Sequence, residues 1–256
     1  MITLNNVSFA YEHKTLLDSI SFSMQEKERI VLLGVNGSGK STLLKIIDAL
    51  IFPTSGEYVF KGTAIRKKAF SDRNFSIQFR KTVALLFQNP EVMLFNPTVY
   101  DEIAFGLKQM GSATGIDAAV REWAEKMHVS QYLDLPPFEL SGGEKQKVAL
   151  AALLVLEPEL LLLDEPMSNL DPRSQGLLLD LLYELPVATI ISTHNLSLAA
   201  ELGQRAILLS EDHRLLFDGD IQDLLQNEEM LIHANLVHIH RHRHQDHDHA
   251  HYHKHD

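Results

Sequence analysis

Eight residues, Gly34-Val35-Asn36-Gly37-Ser38-Gly39-Lys40-Ser41, follow the spacing G-x-x-x-x-G-K-[ST]. Glycines let a backbone close around phosphate oxygens with its N–H groups turned inward, and a helix starting just after them adds its partial positive charge. In that frame the Lys40 ammonium reaches the terminal phosphates of a nucleotide and the Ser41 hydroxyl ligates Mg²⁺. A second signal is the apolar run Leu160–Leu163, which ends in Asp164, Glu165 and Pro166. A buried strand that ends in two carboxylates delivers them to the crevice at the carboxyl end of a parallel sheet. Asp164 is assigned to the metal and Glu165 to the general base, because proton abstraction needs a carboxylate that is not itself bound to the ion. A third is Leu140-Ser141-Gly142-Gly143-Glu144-Lys145-Gln146, opening a helical stretch. Its exposed N–H groups form another anion cradle, although a Ser-Gly-Gly by itself is more often an ordinary cap and turn.

The elements that must hold these groups are legible from periodicity. Arg29 to Leu33 is a continuous apolar run of the kind buried on both faces of a parallel sheet, and Ser41 to Leu50 places leucines and isoleucines at helical spacing. The phosphate loop therefore lies between a strand and a helix. Ile2 to Phe9 and Ile20 to Met24 alternate, which predicts an opening strand, turn and strand. Further short strands are expected at Val83–Phe87, Leu160–Leu163, Ala188–Ser192 and Arg205–Leu209, with helices between them. Strands alternating with helices argue for an α/β fold with a mostly parallel sheet. The stretch from about Thr98 to Leu156 reads as helices interrupted at Leu135-Pro136-Pro137, an inserted helical subdomain.

Composition narrows the class. The 256 residues carry 23 Lys and Arg against 34 Asp and Glu, a net charge of −11, with 45% apolar residues. A soluble globular domain of ordinary core content fits these values; a disordered or fibrous chain does not. No cysteine is present, so disulfides, thiolate zinc sites and cysteine nucleophiles are excluded. The acidic balance argues against a nucleic-acid scaffold. No secretory signal is read at Met1–Asn5, and no apolar run approaches the ~20 residues of a membrane-spanning helix. Of 14 histidines, ten lie between His233 and His255. Residues 233–256 are therefore expected to be a separate, disordered tail, too poor in apolar groups to offset the entropy of ordering.

With these motifs in place, the chain resembles the ATP-binding subunit of ABC transporters from about Ile2 to Asp220, within an expected ATPase domain of residues 1–232. The resemblance implies a P-loop NTPase with a mostly parallel core sheet, an N-terminal antiparallel β subdomain and an inserted helical subdomain at about 97–156. Gly34–Ser41 matches the Walker A loop, with Thr42 beside it; Gln88 matches the Q-loop and Leu140–Gln146 the family signature. Leu160–Glu165 matches Walker B, Ser168-Asn169-Leu170-Asp171 the D-loop, and His194 the switch histidine. It implies that Tyr11 stacks on adenine and that Gly34, Val35, Asn36, Gly37, Ser38, Gly39, Lys40, Ser41 and Thr42 hold the phosphates. Mg²⁺ then sits on Ser41, Gln88 and Asp164, while His194 orients water for Glu165. Two chains, identical or paralogous, pair head to tail around two ATP molecules, so that Ser141, Gly142, Gly143 and Glu144 of one face the ATP of the other. Two residues depart from the family pattern: Glu144 where glutamine is commonest, and Asn195 where aspartate is frequent.

The segment Phe87-Gln88-Asn89-Pro90-Glu91 through Leu94–Val99 and Asp101–Gly106 resembles the energy-coupling-factor group, which includes nickel and cobalt importers. That likeness implies a transmembrane coupling subunit seated near this segment, a substrate-binding membrane subunit, and a place on the cytoplasmic side of the cell membrane. In the tail, His238, His240, His242 and His244, then His247, His249, His251, His253 and His255, fall mainly at i, i+2. Neutral imidazoles so gathered suit Ni²⁺, Co²⁺ or Zn²⁺. A purification tag is the plain alternative, but contiguous histidines would serve it better than this interleaving. Vitamin uptake and a soluble, non-transport ABC ATPase are the competing functions.

Overall fold

The computed structural model describes residues 1–256 except Ser112, Ala113, Asn169, Gln245, Asp246, His255 and Asp256; over the rest of residues 238–254 it describes the backbone alone. In chain order the elements begin β1 (Ile2–Tyr11), β2 (Lys14–Met24), β3 (Arg29–Leu33), α1 (Lys40–Ile47), β4 (Ser55–Phe60) and β5 (Thr63–Ala64). Then come α2 (Arg73–Thr82), β6 (Val83–Leu86), α3 (Val99–Gln109), α4 (Ile116–Lys126), α5 (Gly142–Leu154), β7 (Leu160–Asp164) and α6 (Pro172–Glu184). The chain closes with β8 (Ala188–Thr193), α7 (Leu196–Leu202), β9 (Arg205–Leu209), β10 (Leu215–Asp220), α8 (Ile221–Gln226), α9 (Glu228–His233), β11 (Val237–His244) and β12 (His247–Lys254). Among the described residues no helix is long and apolar enough to cross a membrane. Contacts divide the chain into two compact units, Met1–Arg66 with Ile190–Asp256, and Lys67–Thr189.

The first unit opens with an antiparallel sheet in the order β2-β1-β4-β5. Alternation along β1 buries Ile2, Leu4, Val7 and Phe9, the half-buried pattern of a sheet with one wet face. β3 has the other signature. Ile30, Val31, Leu32 and Leu33 are all buried, and β3 runs parallel to β9 with Ile30 opposite Arg205 and Leu33 opposite Leu208. Leu43, Leu44, Ile46 and Ile47 of α1 are buried as well, each contributing roughly 1.5–3 kcal/mol of hydrophobic stabilisation. This packing fixes both ends of the loop that joins β3 to α1. Arg205 holds the far end of β9: its guanidinium pairs with Asp218 at 2.5 and 2.7 Å and with Glu28 at 2.8 Å. These partners push its pKa further above the ordinary arginine range.

In the second unit β6 and β7 pair in parallel, Val83 opposite Leu160 and Leu86 opposite Leu163. All four residues of β6 and all five of β7 are buried, so β7 carries its terminal carboxylate on a strand with no wet face. The helices start on side-chain caps. Asp72 accepts from Asn74 and Phe75, Thr98 from Asp101, and Asp171, ahead of Pro172, from Arg173 and Ser174; each satisfies N–H groups that have no partner inside the helix.

The helical stretch expected at about 97–156 contains α3, α4 and α5, with the interruption at Leu135–Pro137 lying in the connection before α5. Periodicity gave no indication of α2, whose one buried residue is Phe79. In the tail β11 and β12 pair antiparallel, with His238 opposite His253 and His244 opposite His247. Residues of alternating type suit a two-stranded ribbon, a unit only marginally stable by itself.

Candidate functional site

The loop between β3 and α1 is shaped for an anion. Gly34, Gly37 and Gly39 all take positive φ, and Gly39 at +109° is the N-cap of α1 with no side-chain cap. A Cβ on Gly39 would lie 2.5 Å from the Leu16 carbonyl oxygen, and one on Gly34 would lie 2.5 Å from Ser38 Oγ. Glycine at these two positions is thus required by space as well as by conformation. Lys40 is only 6% exposed; its ammonium donates to the Gly34 carbonyl at 2.7 Å and the Val35 carbonyl at 3.3 Å. Ser38 is buried, and its hydroxyl has no hydrogen-bond partner among the described residues. A buried hydroxyl without a partner costs about 1–3 kcal/mol, which a phosphate oxygen in the cradle would recover. The uncapped helix start, the buried ammonium and this hydroxyl together fit a nucleotide's phosphates. The same loop is tied from outside by His213, whose Nδ1 lies 3.3 Å from the Ser38 carbonyl oxygen.

His194 and Tyr11 belong to the same unit. His194 is half-buried between β8 and α7. Asn195 accepts from Ser197 at 2.8 Å and Leu198 at 3.3 Å, and its own N–H donates to Thr193 Oγ1 at 3.0 Å. The departure from aspartate at this position is therefore a helix cap that asparagine fills equally well. Tyr11 ends β1 with 57% of its surface exposed and packs edge-on against Phe9 at 4.9 Å, leaving a ring face available for stacking.

In the second unit Asp164 ends β7 and Glu165 follows it, only 4% and 6% exposed. Glu165 has φ +49°, a left-handed conformation that costs a non-glycine residue about 1–3 kcal/mol and that clusters at functional sites. Ser168 holds this turn: its N–H and hydroxyl both donate to the Glu165 carbonyl, at 3.2 and 2.9 Å. Gln146 Nε2 donates to the carbonyl of Pro166, tying α5 to the residue beside the carboxylates. Gln175 donates to the carbonyls of Met167 and Leu170, bracing the connection before α6; Asn169 within it lies outside the described residues. Gln88 is exposed just beyond β6. A hydroxyl (Ser41), an amide oxygen (Gln88) and a carboxylate (Asp164) are hard oxygen donors of the kind Mg²⁺ prefers.

The start of α5 is closed rather than open. Ser141 Oγ accepts from the Glu144 N–H, while the Glu144 carboxylate accepts from the Ser141 N–H at 2.8 Å and from its hydroxyl at 2.7 Å, a full capping box. Hydrogen bonds from Tyr132 and Ser141 hold the Glu144 carboxyl below its usual range. Glu144, the departure from the commonest signature residue, thus has a local structural task.

Beyond Gln88, Asn89 caps a short turn at Pro90–Met93, and the buried Glu102 carboxylate accepts from the Asn96 side chain at 2.8 Å. The turn is pinned to α5 by Lys145 and Glu91 at 2.5 Å. Val92, Phe95 and Phe138 are left 66%, 67% and 79% exposed, with Phe95 edge-on to Phe105 at 5.0 Å. Exposed large apolar groups of this kind are candidates for contact with a partner. Among the described residues no group of three or more His, Asp or Glu is arranged to hold a metal. The side chains of the tail histidines His238 to His255 lie outside the described residues.

Two further residues brace the site. Gln146 stands in the signature but points inward, and its spacing of four from buried Leu150 is the signal that places it on the inner face of α5. His213 reaches the phosphate loop from a turn between β9 and β10, far away in sequence, where no local pattern marks it.

Residues 17–168 match the family model described as ABC transporter. A putative ABC transporter ATP-binding protein of Methanosarcina acetivorans is 42% identical over 92% of this chain and 88% of its own. A nickel import ATP-binding protein, NikO of Rhodobacter capsulatus, is 39% identical over 91% of this chain and 94% of its own. Among solved structures, cbiO1 of Clostridium perfringens, described as part of the ABC transporter complex cbiONQ, superposes with a TM-score of 0.75 at 27% identity, covering 92% of this chain and 94% of that one.

Proposed function

The chain belongs to the ABC transporter ATP-binding family and is an ATPase subunit of an importer; from that premise we propose that it powers uptake of a transition-metal ion, nickel or cobalt. The cargo rests on one observation, the likeness to a nickel import ATP-binding protein over nine-tenths of both chains. The alternating histidines of the tail are consistent with it, as imidazole ligands suit these ions. The tail then serves as a metal buffer or sensor, apart from hydrolysis. Under vitamin uptake, the competing cargo, that tail would be incidental.

Cassettes of this family dimerise and work with transmembrane components. In the proposed assembly two copies, or this chain and a paralogue, meet head to tail on the cytoplasmic face of the membrane. The exposed Val92, Phe95 and Phe138 receive the transmembrane coupling subunit, which a substrate-binding membrane subunit accompanies.

The chemistry follows from the groups described. Gly34 to Thr42 cradle the phosphates through backbone N–H groups and the start of α1, Ser38 donates its free hydroxyl, and Tyr11 stacks on the base. Lys40 exchanges its loop carbonyls for phosphate oxygens and holds the charge that builds on them. Mg²⁺ held by Ser41, Gln88 and Asp164 would supply further charge neutralisation on the phosphates. Glu165 accepts the proton of the attacking water, and His194 sets that water in line. Ser141 to Glu144 close on the partner chain's nucleotide.

Two measurements test this reading. Glu165→Gln keeps the shape and removes the base, so ATP still binds while hydrolysis falls by about 10²–10⁴-fold, the usual worth of a general base; hydrolysis at the native rate would remove Glu165 from that role. Uptake of radiolabelled nickel and cobalt is then compared in cells with the chain, without it, and with residues 238–256 deleted. Loss of uptake without the chain supports the cargo. Unchanged uptake of both ions would reject it.

A further inference from the structure

A cavity of about 670 Å³ opens in the second unit, away from every residue assigned above. Its apolar wall is made by Trp123 of α4, Leu154 at the end of α5, and Leu177 and Leu181 of α6, with Pro158 and Val187 beside them. This volume lies within the ordinary range of small-molecule sites, roughly 300–1,000 Å³. The mouth is acidic. Glu157, Asp180 and Glu184 line it, all exposed and none paired with a cation among the described residues. The single basic residue of the lining, Lys126, is already neutralised by Glu122 at 2.6 Å. Its ammonium lies 4.6 Å from the centre of the Trp123 ring, so the aromatic wall already receives a positive charge from the chain's own side chain.

We propose that this cavity is a regulatory site for a bulky organic cation, one with an apolar body and a single delocalised positive charge. Apolar walls around 670 Å³ call for the body, and three carboxylates with no paired cation call for the charge. An anion of the same shape is repelled, and a bare metal ion finds no converging ligands among widely exposed acids. Regulation follows from which helices form the wall. α5 begins beside Ser141 of the signature and α6 directly after the turn braced by Ser168 and Gln175. A ligand wedged against Leu154, Leu177 and Leu181 bears on both helices at once.

Trp123 is the only tryptophan in the chain, so its fluorescence reports this site without a label. The probe is tetraphenylphosphonium, and its control is tetraphenylborate, nearly identical in size and opposite in charge. Titrating the full-length chain, the cation is expected to give a saturable fluorescence change with an affinity at least tenfold better than the anion. It should also change the rate of ATP hydrolysis at least twofold. In the double variant Asp180→Asn, Glu184→Gln, which leaves the ATP-site residues untouched, affinity for the cation falls at least tenfold while hydrolysis without probe stays native. Lys126→Met, removing the competing charge, tightens the cation. Equal binding of cation and anion, no saturable change, or binding that ignores the double variant would each overturn the site. Binding of a basic amphipathic peptide in place of the phosphonium would reassign the cavity to a protein partner. Saturable binding with an unaltered hydrolysis rate would overturn its regulatory role. Because fluorescence is read without nucleotide, failure here is separate from failure of the proposed transport function.

Discussion

Two helix starts in this molecule look alike in sequence and differ in structure. α1 and α5 both begin among glycines with a serine close by, and both read as places where an anion is welcome. At α1 the N-cap is Gly39, no side chain closes the helix, a buried ammonium sits within the loop, and Ser38 carries a hydroxyl without a partner among the described residues. At α5 the Glu144 carboxylate already takes up the Ser141 N–H and hydroxyl. One start has an anion-binding requirement still to be met, and the other meets most of its own. A phosphate therefore has reason to seat first at α1, and in the proposed assembly the signature acts on a nucleotide that is already held.

That contrast can be broken or sharpened by substitution. The largest effect is expected from Lys40→Ala, which removes the ammonium proposed to meet the phosphates: hydrolysis falls by about a thousandfold, as for other preorganised electrostatic groups, and ATP affinity measured by calorimetry falls with it. Native-like ATP affinity in this variant would put the phosphate elsewhere. A smaller effect is expected at α5. Ser141→Ala opens the capping box and lowers thermal stability by about 1 kcal/mol, while leaving ATP binding by the isolated chain near native. Should ATP affinity drop as steeply as in Lys40→Ala, the two helix starts would be equivalent and the contrast wrong. The smallest effect concerns pH. The Glu144 carboxyl is held below its usual 4.5, so the stability it confers is complete above that value and is lost as pH falls through the lowered one. Thermal melts between neutral and acid pH should show a larger loss in the native chain than in Glu144→Gln, which keeps the cap and drops the titration; equal losses would remove Glu144 as the source.

Much of this was legible because the physics is local. The apolar run before Gly34, the leucines after Lys40, and the carboxylates ending Leu160–Leu163 each mark a buried element with a chemical group at its end, and the structure puts strands and helices there. What was not legible depends on contacts distant in sequence or on which of two local solutions the chain adopts. His213 reaches the phosphate loop across 175 residues. Gln146 bonds to Pro166, 20 residues on; its spacing from Leu150 marks the inner face of α5 but not this partner. The closed state of α5 was within reach, since Ser141 and Glu144 stand at capping-box spacing. The ordinary cap, the alternative to an anion cradle at Ser141-Gly142-Gly143, is the use to which the structure puts these N–H groups. Asn195 belongs with these: a family departure that the cap at α7 explains.

A signature whose helix start is already satisfied should contribute to hydrolysis only when a second copy presents it to a held nucleotide. The most direct test is the rate of ATP hydrolysis per chain, measured as the concentration of purified protein is raised, for the native chain and for Ser141→Arg. The account predicts a native rate that climbs steeply with concentration towards a plateau, and a Ser141→Arg chain that binds ATP yet stays near background throughout. A rate per chain that is constant from the most dilute sample upward, and the same in both proteins, would contradict it.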